Sequence, residues 1–145
     1  MTQAQKEIST DELFLMLENS KNLSEDFTEL SGQMNAPEFH KYLSALISER
    51  EIDASKLGVM ALLSRSFTYQ ICAGDRTPNR DIIIRIAIVL GLSVDETQRL
   101  LKLANRGVLY PKIKRDSLIL YALYNKYDLY KTDELLVQYG QEPIL

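Results

Sequence analysis

The sequence predicts an all-α protein. Apolar residues recur at helical spacing along most of the chain. Ser, Asp, Asn or Thr stands just ahead of most of those runs, where a helix N-cap belongs. Strand-period alternation is scarce. Of the 145 residues, 46% are hydrophobic and 26% charged, with only six Gly and four Pro. That is the composition of a globular chain long enough to bury a core.

The elements follow in order. Ser9-x-x-Glu12 reads as a capping box opening a helix over 11–18, with Leu13, Leu15, Met16 and Leu17 as its apolar side. Ser24 is expected to cap a second short helix whose first turn holds Glu25 and Asp26, where negative charge suits the helix dipole. Gly32 to Pro37 reads as a junction, with Pro37 suited to the first turn of the next helix. Phe39, Leu43, Leu46 and Ile47 then mark a core-facing stripe. A short helix over 54–61 is followed closely by another that Gly74 stops, and so tight a pair suggests a helix-turn-helix. Asn79 can cap a helix over 80–90, whose run of Ile, Val and Leu is apolar nearly all round and is expected at the centre of its domain. Ser93-x-x-Glu96 is a second capping box, opening a helix to about residue 105. A helix over 112–126 and a last one over 132–139, capped by Thr132, complete a set of about eight.

Charge is uneven. The formal net charge is −3, but residues 1–35 hold two Lys against seven Asp or Glu. Residues 36–105 and 106–145 each carry +1. The expected organisation is an acidic helical extension over 1–35, a central domain over 36–105, and a C-terminal helical extension over 106–145 that packs on the core or forms an interface. Cys72 is the only cysteine, so no intramolecular disulfide is expected, in keeping with a reducing cytoplasm. No signal peptide or membrane span is expected. His40 is the only histidine and no metal-ligand spacing appears, so neither metal nor cofactor is expected. Phosphate-loop, dinucleotide and nucleophile-elbow motifs are missing, and no enzyme is expected.

The stretch from Ser64 to Pro78 carries the functional signal. Thr68 and Ile71, with Phe67 beside them, can face a core, while Arg65, Ser66, Tyr69 and Gln70 fall on the opposite side. Arginine, hydroxyl and amide groups on one face of a short helix are what reading base edges in a DNA major groove requires.

From about Phe39 to Ala104 the chain resembles the Cro/repressor-type (Xre) helix-turn-helix family. The resemblance rests on Lys56-Leu57-Gly58, on Leu63-Ser-Arg-Ser-Phe-Thr-Tyr-Gln-Ile71, on the turn Gly74-Asp-Arg-Thr-Pro78 and on Leu90-Gly-Leu-Ser-Val-Asp-Glu96. It implies a five-helix domain binding duplex DNA as a homodimer on a two-fold operator. By position it implies base-edge contacts for Arg65, Ser66 and Gln70, a groove-wall place for Tyr69, and phosphate contacts for Ser64, Arg76 and Arg80. Departures from the family pattern are Ala54, Leu62, Thr68, Cys72 and Asp75. Leu62 stands where the family often has Gly, and Thr68 where it has an aliphatic residue.

Lys112, Lys114 and Arg115, with Arg106, form a basic cluster that could add auxiliary phosphate contacts. Six tyrosines crowd the C-terminal part, and Tyr121, Tyr124 and Tyr127 are expected to build a second small core, with a self-association or partner surface as the alternative. Two other functions fit the residues. One is a protein-interaction module on a helix-turn-helix scaffold, which Ala54, Leu62, Asp75 and the acidic net charge favour. The other is an antitoxin-like autoregulator whose acidic N-terminal segment masks the groove-facing surface or a basic partner.

Overall fold

The computed structural model describes residues 9–30 and 38–145. Among them, nine helices and no strand are found. The expected junction at Gly32 to Pro37 lies outside the described residues. The chain divides into two compact units, Met1–Ala36 and Pro37–Leu145.

The first unit holds α1 (Thr10–Glu18) and α2 (Leu23–Leu30). The Ser9 hydroxyl accepts the Glu12 amide and so caps α1. No residue of α1 is buried; of its expected apolar side only Leu13 is half-buried, and Leu15, Met16 and Leu17 are exposed. For α2 the capping oxygen comes from Asn22, which accepts the Glu25 amide at 3.4 Å, instead of the expected Ser24. Ser20 donates to Asp26 at 2.6 Å and ties the preceding loop to α2.

The second unit holds α3 (Phe39–Glu49), α4 (Ala54–Ala61), α5 (Arg65–Ala73), α6 (Arg80–Leu90), α7 (Val94–Leu103), α8 (Lys114–Tyr124) and α9 (Leu129–Gln138). Local chemistry sets most of their beginnings. Asp53, Ser64, Asn79, Ser93 and Asp128 each accept an amide from the first turn of the helix they precede. Ser93 and Glu96 form the full reciprocal box. The last helix starts earlier than Thr132 implied. Thr132 is fully buried inside α9, its hydroxyl donating to the Asp128 carbonyl at 2.7 Å.

Helix α6 is central, as its apolar run predicts. Ile83, Ile84, Ile86 and Ala87 are sealed from solvent, and the helix packs on α4, α7 and α9. Its C-terminal carbonyls are capped from both sides. Arg50 donates through Nε to the Leu90 carbonyl at 2.8 Å, and Lys126 Nζ donates to Gly91 and Leu92 at 2.9 and 3.3 Å. Cations belong at this end of the helix dipole.

Residues 106–145 share one core with 37–105: Leu109, Ile119, Leu123, Leu129, Leu136 and Ile144 join the buried residues of α3 to α7. Gln98 of α7 holds the connecting loop by a reciprocal pair of hydrogen bonds to the amide and carbonyl of Leu109, at 2.7 and 2.8 Å. The tyrosines do not build the small core expected of them. Leucine and isoleucine fill it; Tyr121 and Tyr124 are 51% and 71% exposed, and only Tyr127 is half-buried, edge-on to Tyr121 at 5.8 Å between ring centroids.

Candidate nucleic-acid interface

Helices α4 and α5 are joined by residues 62–64. Leu62 closes α4 in the left-handed region at φ 57°, with Leu63 N–H returning to the Gly58 carbonyl at 2.9 Å. Glycine usually takes that position, because a Cβ disfavours it. Ser64 then starts α5 by accepting the Phe67 amide at 3.2 Å.

One close approach sets the packing of the two helices. A Cβ added to Gly58 would come within 2.8 Å of the Thr68 hydroxyl oxygen. Thr68 is fully buried, and its hydroxyl donates to the Ser64 carbonyl at 2.8 Å, so no polar group is stranded. Thr68 at an aliphatic position and Gly58 beside Leu57 are therefore one adaptation: the hydroxyl occupies space a Cβ at position 58 would need. Ile71 completes the inward side of α5.

The outward side carries Arg65, Ser66 and Tyr69, all exposed, and Gln70, half-exposed. The Arg65 guanidinium lies 5.6 Å from the Tyr69 ring centroid, one turn along the helix. At the far end Gly74 adopts φ 86°, and the amides of Asp75 and Arg76 both return to the Gln70 carbonyl. Here glycine is doubly required: a Cβ would also lie 2.7 to 2.9 Å from the His40 ring of α3. The turn presents Arg76 exposed, its guanidinium 5.0 Å from the Phe67 ring centroid. Asp75 is exposed beside it. Burial pushes the Cys72 thiol above its ordinary pKa, so it stays protonated and acts as a small packing group.

Two arginines expected to meet phosphates have other work. Arg80 forms a parallel two-bond pair with Asp116 at 2.9 and 2.8 Å and donates to the Gly107 and Val108 carbonyls. Arg115 forms the same pairing with Asp81 at 2.9 and 3.0 Å and donates to the Glu142 and Pro143 carbonyls. The dipeptide Arg80-Asp81 of α6 thus meets Arg115-Asp116 of α8 with the charges exchanged. Asp116 is 2% exposed and also accepts the Tyr110 amide. Its burial alone would raise the carboxyl pKa; the Arg80 hydrogen bonds, the Tyr110 N–H and the nearby cationic charges outweigh it and hold it below the usual value. Arg106 donates to the Pro78 carbonyl, which leaves Lys112 and Lys114 as the exposed cations of the expected basic cluster.

The sequence reading missed this double ion pair. Asp116 looks like any first-turn acid, and nothing local signals that it is buried. Among the described residues, no cluster of three or more His, Cys, Asp or Glu is placed to hold a metal ion. Nor is any described helix long and apolar enough to cross a membrane. Comparison with known proteins gives no match, whether to family models, curated proteins or solved structures.

Proposed function

We propose that the chain is a sequence-specific DNA-binding transcriptional regulator of the repressor-like helix-turn-helix type, acting by occupying duplex DNA without catalysis. Helices α3 to α7 form the five-helix DNA-binding domain, α5 enters the major groove, and α4 crosses the phosphate backbone. Arg65, Ser66 and Gln70 meet base edges, Tyr69 stands at the groove wall, and Ser64 and Arg76 reach phosphates. The protein binds as a homodimer on a two-fold operator.

The observation that carries this reading is the division of α5. Thr68 and Ile71 are sealed in the core, while Arg65, Ser66 and Tyr69 stand exposed on a helix closed at both ends. The rigid helix presents its polar groups without further ordering cost, which is what a base-reading element needs.

The test is selection of bound duplex from a random pool at two salt concentrations, followed by binding measurements on variants. Arg65→Ala and Gln70→Ala each weaken the selected site by about 1–3 kcal/mol, with thermal unfolding unchanged. Arg76→Ala weakens all sequences alike and flattens the salt dependence. Full operator affinity in both the Arg65 and Gln70 variants would sink the assignment.

One observation favours a second reading, a protein-interaction module on the same scaffold. Val59 and Leu62 are 69% and 51% exposed, three residues apart and beside α5. Failure to bind any duplex at low salt, with loss of a protein partner on Val59→Ser, is the outcome that reading expects.

A further inference from the structure

Beside its core-facing side α8 carries a second, exposed stripe. Ile113 just ahead of the helix, then Ser117, Tyr121 and Tyr124, follow one another at helical spacing, and Ile113, Tyr121 and Tyr124 are 52%, 51% and 71% exposed. Beside the stripe lies a groove of about 410 Å³ lined by Val94, Gln98, Leu109, Pro111, Leu120 and the two tyrosines. No charged side chain lines it. A second recess adjoins it through Val94 and Tyr124, and its rim carries one acid and one base, Asp95 and Lys126.

We propose that this face is where a second copy of the chain docks, about a two-fold axis, with Tyr124 of each copy entering the groove of the other. A two-fold interface must complement itself. This patch holds a protruding aromatic and an uncharged recess side by side, so each copy supplies both knob and hole. The rim obeys the same condition: under a two-fold rotation Asp95 of each copy meets the third N–H of the other's Lys126, whose ammonium also donates to Gly91 and Leu92. The area is of the order a weak two-fold contact needs. With a whole tyrosine worth roughly 150–250 Å², the exposed parts of Tyr121, Tyr124 and Ile113 come to roughly 350 Å² per copy. Doubled, this is roughly 700 Å², and the groove walls and rim carry it toward the roughly 1,000 Å² floor of specific interfaces. A patch of this size matches the largest on a typical monomer, and such patches are often functional. Tyrosine suits such a place, since it brings a large rigid contact with a hydroxyl that tolerates water.

The inference names the surface behind the dimer that the DNA-binding reading requires, and it rests on that reading only for its purpose. Sedimentation equilibrium of the full chain without DNA tests it. The expected result is a dimer for the parent protein and a monomer for Tyr124→Asp, with Tyr124→Ser between them and Tyr130→Asp, on α9, still dimeric. Unchanged circular dichroism in Tyr124→Asp shows that the fold survives. A monomeric parent, or a Tyr124→Asp variant that stays dimeric, overturns the proposal. A second arm separates it from the DNA reading. On duplexes selected by the parent protein, Tyr124→Asp loses at least about a hundredfold in affinity for a full two-fold site but keeps its affinity for an isolated half-site. Loss of dimer with no DNA binding by either protein upholds the interface and removes the DNA reading. DNA binding by a monomeric parent does the reverse.

Discussion

At the scale of single residues, position 58 shows how far a local substitution depends on a partner distant in sequence. Gly58 is needed because Thr68 projects a hydroxyl into the space its Cβ would take. Gly58→Ala is expected to cost about 1–3 kcal/mol through overpacking, and Thr68→Ala to remove much of that cost when the two are combined. Urea unfolding of both single variants and the double variant measures the coupling; simple additivity would show that the two residues do not meet. Sequence alone exposed one half of this. It marked Thr68 as standing where an aliphatic residue is usual, whereas Gly58 entered only as part of Lys56-Leu57-Gly58. The distance that unites them exists only once α4 and α5 are packed.

Among elements, helix starts were the most legible feature, because a cap is a local hydrogen bond between residues three apart. Ser9, Asn79 and Ser93 act where their spacing says they should. The failures share a cause. Thr132 and Asp128 are both acceptable caps four residues apart, and only the burial of Thr132 decides between them. On α8 two apolar stripes run side by side, one through Ile119, Leu120 and Leu123, the other through Tyr121 and Tyr124. Periodicity cannot say which faces inward. The junction of α6 and α8 also has a pH signature. Because the folded Asp116 carboxyl sits below its unfolded value, its contribution is fully present above the unfolded pKa of about 3.9. It fades as pH falls through the lower folded value. Asp116→Asn is expected to lose about 3 kcal/mol near neutral pH, and the gap to the parent protein should close as the solution is taken below about pH 4. Urea titrations across that range check the slope, and a gap independent of pH would count against the ion pair as its source.

For the whole molecule, the charge distribution leads to a salt-dependent expectation. Residues 1–35 bring −5, so the remaining residues carry +2. Removing residues 1–35 should raise affinity for duplex DNA at low ionic strength, and the gain should vanish once salt screens long-range repulsion. A gain that persists at high salt would point to some cause other than net charge. Much of the architecture was readable at this scale: an all-helical chain, a central apolar helix at 80–90, an acidic leading segment. The tyrosine surface was legible only as the alternative to a second core, and the paired arginines not at all, since both depend on which face of a helix its neighbours cover. The end of α6 carries one further consequence. Arg50 and Lys126 reach Leu90 to Leu92 from 40 and 34–35 residues away in the chain. Closing loops of that length is an entropic cost met late in folding. Lys126→Ala should therefore speed unfolding while leaving the refolding rate nearly unchanged, the kinetic mark of a contact absent from the transition state. Stopped-flow measurement of both limbs would read it, and the lifetime of the folded molecule would then be set by a clasp that plays no part in making it.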